Sequence, residues 1–546
     1  MAACIRPAVT HSSLHCTPHR PYNELCPHAS LAFHFLPKSI HRSIAMTPPP
    51  PPPAEPEAPP PPPHHKHKHK HKQEQERWLA ELRAQRGIAL PLVGMNLTWF
   101  AKLAVTTAFL GRLGEMELAA GTLGYSFANV TGFAVLSGLC GAMEPICGQA
   151  HGARNVGLLR RTLLMATVML LAASVPIALL WLRVDAVLLR FGQQPDIAAT
   201  ARTYVLCLLP DLAVTSFLNP LKAYLSSQEV TLPPLFAAAL GLALHIPLTL
   251  CLSRTMGIRG VAAAVCLSDL AVAAMIAAYV LAHELQAGRR RSTTTTTCSS
   301  TLTWLGLLRL ALPCCLNTCL EWWSYEILVL LTGRLPDARR MVAVIAVTLN
   351  FDYLLFAGML SLSVSASVRV SNELGAGDAT LARRAARVSI AGGAIAGVAG
   401  GLVMLAARRP WARMYTRSPE VRDGVARAMK VMALLEVVNF PLNVCGGIVR
   451  ATARPLLGMY AVVAGFYLVA LPVGVALGFK ARLGLEGLLA GFLVGAAASL
   501  AVLVTVIVCM DWVAEADKAQ KRAGADDQDT QEDNSKDCNC NAVTTP

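Results

Sequence analysis

The segment GARNVGLLRR (residues 152–161) has a second copy, GAGDATLARR (residues 375–384), 223 positions further along the chain. Gly-Ala, one Leu and a pair of arginines keep their places in both copies. Ala-Leu-Pro at 89–91 recurs at 311–313, an offset of 222, and Gly-x-x-Gly at 257–260 recurs at 484–487, an offset of 227. Ordered matches at a nearly constant spacing indicate an internal repeat. The chain therefore consists of two similar halves.

Long apolar runs surround these matches. Of 546 residues, 54% are hydrophobic and only 15% are charged, whereas about a quarter of the residues of a soluble domain are charged. A bilayer crossing takes about 20 apolar residues, and the chain offers about twelve such runs: 88–111, 123–146, 162–182, 203–224, 232–252, 261–283, 305–331, 341–366, 387–407, 430–449, 456–479 and 486–510. The runs are too long for β-barrel strands and lack their period-two alternation. We predict an all-α polytopic membrane protein with about 12 transmembrane helices.

The repeat fixes how the halves are related. Six spans separate the matched loops, and six is even, so both halves enter the membrane from the same side as parallel six-helix repeats. The predicted organisation has five parts: a disordered cytosolic N-terminal tail (1–86), a six-helix lobe (87–284), a cytosolic interlobe linker (285–303), a second six-helix lobe (304–510) and a disordered cytosolic C-terminal tail (511–546). The first tail contains a His-Lys alternation from His64, whose ammonium groups would repel a metal cation. We expect no metal and no cofactor.

The net charge of +14 is explained by the loops. Basic clusters follow spans two, six and eight, all on one side of the membrane, at Arg154, Arg160 and Arg161, at Arg289–Arg291, and at Arg383, Arg384 and Arg387. Positive loops mark the cytoplasm, so both termini are expected there and no nucleic acid partner is implied. The cluster from Arg408 to Arg417 lies on the opposite side and departs from this rule.

Carboxylates inside spans are the candidate functional groups, because each costs at least ~2.5 kcal/mol in lipid unless it is paired or hydrated. Burial favours the protonated form of a carboxyl group, which suits proton exchange. We expect Glu321 in span seven and Glu436 in span ten to couple protons, at comparable depth in one cavity of the second half. Pairing of Glu321 with a neighbouring hydroxyl is the alternative. Asp211 and Asp269 of the first half have less support.

The residues around these acids are the expected substrate cavity: Trp322, Trp323, Tyr325, Glu326, Asn350 and Asp352. The aromatic side chains would stack on a flat cation, although Trp322 and Trp323 would also serve as interface anchors. Glu326 lies about 140° around the helix from Glu321 and cannot share its face. Pro91 and Pro313 stand at equivalent positions of spans one and seven, and a proline inside a helix permits either a hinge or a static kink.

Four strings resemble the plant branch of the multidrug and toxic compound extrusion (MATE) family, in its detoxification protein subgroup. They are LCGAMEPICGQAHGARN from Leu139, CLEWWSYEILVLLTGRLP from Cys319, SVRVSNELGAGDATLARRA from Ser367 and CGGIVRATARP from Cys445. The resemblance implies a MATE-like fold, efflux of organic solutes, and functional acids at the places of Glu321 and Glu436. Bacterial relatives commonly carry an Asp in span one. Here Asn96 and Lys102 stand there instead, so coupling through the first half is not expected.

The expected function is that of a secondary active antiporter. It would export organic cations, secondary metabolites or hormones from the cytosol in exchange for protons, by alternating access of two lobes. The partners would be a small organic solute, protons and the lipid bilayer, and the protein would be a monomer in the plasma, vacuolar or endosomal/Golgi membrane. Three alternatives remain: a transport-inactive receptor or scaffold, a sodium-coupled exchanger of the same fold, and a flippase for lipid-linked precursors. No motif of enzymatic chemistry is present.

Overall fold

The computed structural model describes residues 63–290 and 302–524, with side chains placed in 73–286 and 302–524. These residues form helices and no strand. In chain order the helices are α1 (Pro63–Leu113), α2 (Glu115–Gly152), α3 (Val156–Trp181), α4 (Pro195–Ser227), α5 (Leu232–Met256), α6 (Ile258–Arg290), α7 (Trp304–Thr332), α8 (Ala338–Gly375), α9 (Ala379–Tyr415), α10 (Pro419–Ala451), α11 (Pro455–Lys480), α12 (Gly484–Val508) and α13 (Trp512–Ala523), with a short helix Val184–Arg190 between α3 and α4.

Helices α1 to α12 coincide with the twelve predicted spans. Eleven of them, all except α7, are long and apolar enough to cross a membrane by length and composition. Helix α7 has 29 residues, a length of about 44 Å, and it is the helix that carries Glu321, Glu326 and two adjacent tryptophans. Its polar residues, not its length, set it apart. The all-α prediction is confirmed.

Each half of the chain has its own hydrophobic core. One cluster of buried side chains runs from Leu110 to Ala311 and the other from Leu328 to Ala519. The division falls inside α7, whose first turns pack on the first cluster and whose last turns pack on the second. Two cores, each built from about six consecutive helices, are what two similar lobes require.

Two segments predicted to be disordered are helical. Residues 63–86 continue α1, and Glu81 is buried there in contact with α8. Beyond the last span, α13 covers Trp512–Ala523. Its buried residues Trp512, Ala516, Ala519 and Ala523 recur at helical spacing, and Asp511 accepts hydrogen bonds from the first backbone N–H groups. Polar composition concealed this narrow apolar face. Residues 525–546 and 1–62, including the polyproline run, lie outside the described residues.

The repeat is visible in the backbone as well as in the sequence. Arg154 and Gly377, 223 residues apart, both have positive φ, at 57° and 80°. The next residue caps the following helix in each half: Leu158 N–H donates to Asn155 Oδ1, and Leu381 N–H donates to Asp378 Oδ1. The matched strings therefore encode one turn-and-cap unit that ends one helix and starts the next.

The change of offset from 223 to 227 also has a structural origin. Helix α11 has 26 residues where α5 has 25, and it contains π-helical turns at Val463–Ala470 and Ala476–Lys480. A π turn absorbs an additional residue without ending the helix. The other three residues form the loop 481–483 before Gly484, whose φ of 60° matches the 59° of Gly257.

The lobes meet where α2 crosses α8, at the end of the bundle that carries the α2–α3 and α8–α9 turns; we term this the closed end. A Cβ on Gly152 would overlap the Asn372 carbonyl oxygen, and a Cβ on Gly375 would overlap the Gln149 carbonyl oxygen. The two contacts are equivalent under the 223-residue repeat. Glycine at both positions lets the backbones touch, as in other close membrane-helix crossings.

Replacing Gly152 with Ala should force α2 and α8 apart and lower stability by about 1–3 kcal/mol, the usual cost of overpacking. The measurement is the thermal unfolding midpoint of the purified protein in detergent. Gly392→Ala on α9 is the matched control, because a Cβ there meets no atom within 4 Å, and it should be neutral or stabilising by up to about 1 kcal/mol. Equal midpoints for the two variants would contradict the tight crossing.

Candidate coupling and substrate site

The second lobe contains two buried carboxyl groups that face each other. Glu436 of α10 is 0% exposed and Asp352 of α8 is 5% exposed, and their side chains lie within hydrogen-bonding range. Among the described residues no other donor reaches the Glu436 oxygens. A hydrogen bond between two carboxyl groups needs a proton on one of them, and two facing carboxylates in a low-dielectric interior repel strongly. A shared proton would relieve the repulsion within this pair.

A polar ladder connects α7 to α10 beside this pair. Asn439 Nδ2 donates to the Tyr325 hydroxyl at 3.3 Å, and one helical turn away Asn443 lies beside Glu321 in the lining of the same cavity. Tyr325 lies close enough to Asp352 and Glu436 to sense their charges. The ladder thus links the predicted coupling residue of α7 to the carboxyl pair.

Glu321 and Glu436 do not lie at the same depth. The antiparallel register sets Glu321 against Asn443, which follows Glu436 by seven residues, or about 10 Å along the helix. Glu321 lines a cavity of about 40 Å³ together with Asn443 and Arg450. The expectation of comparable depth is wrong because helical counting from span ends ignores the relative shift of α7 and α10.

The aromatic residues divide between two environments. Trp322 stacks on Tyr353 of α8, with ring centroids 6.3 Å apart, and meets the Phe356 ring edge-on at 5.6 Å. Tyr325 packs against Phe492 at 5.9 Å. Trp323, by contrast, is 41% exposed on the outside of α7, which matches the interface-anchor alternative and not a place in the cavity.

The remaining predicted residues are spread along α7 and α8. Glu326 is exposed and lies near Ser126 of α2, so it faces the first lobe and does not join the carboxyl pair. Asn350 is half-buried and, two residues before Asp352, points to a different face of α8. Pro91 and Pro313 lie inside continuous helices.

An arginine that the sequence analysis did not single out lies at the centre of the polar region. Arg450 of α10 forms an ion pair with Glu144 of α2 at 3.2 Å, donates to Ser363 at 3.0 Å and senses the charge of Glu321. Arg450 belongs to the CGGIVRATARP string, and its place in that string could have identified it as a candidate. Through Glu144 this arginine ties the second lobe to the first.

The first lobe holds a different set of charges. Lys102 of α1 contacts Asp269 of α6 at 2.5 Å, and the buried Asp211 of α4 lies within electrostatic range of both. Lys222 is also within range of these acids. Asp269 is thus paired with an ammonium group, whereas Asp211 has no ion pair among the described residues.

Fold and site together define a multi-pass α-helical membrane protein with an internal duplication and intramembrane acids. The MatE family model matches residues 91–251 and 313–476, one match in each half. Protein DETOXIFICATION 56 of Arabidopsis thaliana is 52% identical over 441 residues, covering 81% of this chain and 90% of that protein. Protein DETOXIFICATION 51 of the same plant is 38% identical, covering 81% and 83%.

Solved structures agree with the fold. The crystal structure of the eukaryotic MATE transporter AtDTX14 matches with a TM-score of 0.74 at 28% identity, over 82% of this chain and 100% of that one. A MATE transporter of Vibrio cholerae, VcmN, matches with a TM-score of 0.70 at 19% identity, over 80% and 99%. The chain belongs to the MatE family. It is a multi-pass membrane transporter for small organic solutes, of the multidrug and toxic compound efflux class, and not an enzyme.

Removing the Arg450 charge should destabilise the protein, because Glu144 and Glu321 would then remain in the interior without their cation. Breaking a buried ion pair costs about 3–5 kcal/mol. We expect the lower part of this range for Arg450→Gln because Arg450 and Glu144 are each about one-fifth exposed. Arg427→Gln on the same helix is the control: its pair with Glu486 is at the surface and is worth less than about 1 kcal/mol. Thermal unfolding in detergent compares the two, and equal losses would refute the central role of Arg450.

Proposed function

We propose that the protein is a secondary active antiporter that exports organic solutes, such as organic cations, secondary metabolites or hormones, from the cytosol in exchange for protons. The observation that carries this proposal is the facing pair Glu436 and Asp352, buried in the second lobe without a cationic partner within reach among the described residues. A proton is the smallest ligand that relieves the repulsion of such a pair. Uptake and release of this proton would supply the driving force for export of the solute.

The proposed cycle uses the two lobes. In this structure they meet at the closed end, which we assign to the cytosol together with both termini, because the Arg154–Arg161 and Arg383–Arg387 loops lie there. Protonation of the pair from the opposite side would favour release of the substrate, and loss of the proton to the cytosol would reset binding. Glu321 would pass the change to α7 along the Tyr325–Asn439 ladder. Pro91 and Pro313 would act as hinges.

The proposed substrate region lies between α7 and α8. Trp322, Tyr353 and Phe356 form an aromatic group beside the acids, which suits a flat organic cation. Tyr325 and Asp352 would complete the polar wall. We propose that the protein works as a monomer, in the plasma, vacuolar or endosomal/Golgi membrane.

Reconstituted vesicles test the coupling. An imposed pH gradient should drive uptake of a fluorescent organic cation such as ethidium into proteoliposomes, and Glu436→Gln should reduce the gradient-driven rate at least about tenfold, since one general proton-transfer group contributes on the order of 10²–10⁴-fold. Glu420→Gln, on the exposed start of the same helix, should transport as the unmodified protein does.

Two outcomes would overturn the proposal. Uptake that persists after nigericin collapses the pH gradient, but follows an imposed sodium gradient, would identify a sodium-coupled exchanger. Absence of uptake under either gradient with a panel of organic cations and anions would favour the transport-inactive receptor.

A further inference from the structure

A cavity of about 210 Å³ lies between the lobes at the closed end, away from the carboxyl pair. Its polar lining residues are Gln149 of α2, Thr303 just before α7 and Arg522 of α13. The other walls come from α2, α3, the first turns of α7 and the turn between α10 and α11, and their lining side chains are mainly apolar, as at Ile146, Leu158 and Leu310. One guanidinium thus stands at the edge of an apolar chamber that touches both lobes.

The repeat provides a counterpart for this cavity on the other side of the α2–α8 crossing. At offsets of 223 and 222, Ile146 corresponds to Arg369 and Thr303 corresponds to Glu81. On that side the space is filled, because α1 extends well before its membrane span. Arg369 forms ion pairs there with Glu81 and with Glu229, each at 2.9 Å.

On the cavity side α7 begins directly after Thr303, and residues 302 and 303 are not helical. Arg522 donates to the side-chain oxygen of Gln149 at 3.0 Å and to the carbonyl oxygen of Thr452 at 3.4 Å. Both acceptors are neutral. In the part of the chain that the structure describes, no carboxylate lies within ion-pair range of Arg522. The arginine lacks the anionic partner that Arg369 has.

Around Arg522 the described cations outnumber the carboxylate that pairs with them. Glu515, on the same helix, already pairs with both Arg454 and Lys518. Among the described residues, Glu515 is thus occupied by two other cations, and Arg522 lies in its field without an ion pair. An anion entering the cavity would meet a favourable field and a guanidinium that suits a carboxylate.

We infer that this cavity is a binding site for a small carboxylate with an apolar body. The carboxylate takes the role that Glu81 has on the other side, and the apolar body fills the space that α1 fills there. The volume is below the usual 300–1,000 Å³ of drug-sized ligand pockets, so the ligand class is a single-ring aromatic acid or a medium-chain aliphatic acid.

Such a ligand would act on the lobes as well as on Arg522. It contacts Ile146 and Leu158 of the first lobe and, through Arg522, the helix that packs on the core of the second. These contacts exist only while the lobes meet at the closed end. By linkage the ligand stabilises this arrangement and slows opening toward that side.

Benzoate is the probe, and benzamide is its neutral isostere. Benzoate at millimolar concentration should raise the thermal unfolding midpoint of the purified full-length protein in maltoside detergent, saturably and by about 1–2 °C. Benzamide should leave the midpoint unchanged. Arg522→Gln should abolish the benzoate response, whereas Lys521→Gln, an exposed cation next to it, should retain it.

Leu310→Phe gives a second route to the same answer, because it fills the chamber without touching the guanidinium. It should also abolish the benzoate response, and it decides the matter if Arg522→Gln fails to fold. Equal shifts with benzoate and benzamide, or a benzoate response that survives both substitutions, would overturn the inference. The assay requires no transport, so its outcome is separate from that of the coupling experiment.

Discussion

The close crossing of α2 and α8 is the contact on which the arrangement of the lobes depends. Gly152 lies on the Asn372 carbonyl and Gly375 on the Gln149 carbonyl, so each lobe supplies both a glycine and a carbonyl. Membrane helices gain little from the hydrophobic effect when they associate in lipid, and close packing of small residues takes its place. The interlobe contacts nearby, Arg369 with Glu81 and Arg450 with Glu144, are possible because this crossing brings the helix ends together.

Duplication has given the two lobes one scaffold and two different charge balances. In the first lobe Lys102 neutralises Asp269, and Asp211 lies in the same field. In the second lobe Glu436 and Asp352 face each other, and no cation among the described residues forms an ion pair with them. The proposed proton coupling rests on this difference in charge balance.

Much of the fold could be predicted from the sequence because lipid forces long apolar runs to be helices, and because the repeat fixes their relation. Glu436 and Asp352 could also be named as candidate site residues from the sequence. Their direct pairing was not, since it depends on the register between α8 and α10. The same limit applies to Glu321, whose neighbour on α10 is Asn443. Helix α13 was missed because its mean composition is polar, although Trp512, Ala516 and Ala519 already followed a helical stripe.

Residues 73–86 and α13 pack on the same face of the molecule, on opposite sides of the α2–α8 crossing. Separating the lobes at this face would have to pull Glu81 from Arg369 and Arg522 from Gln149. Both segments therefore help to hold the lobes together at this face. An interaction that fixes residues 73–86 and α13 in these positions would favour the arrangement in which Gly152 and Gly375 are in contact with the opposite lobe.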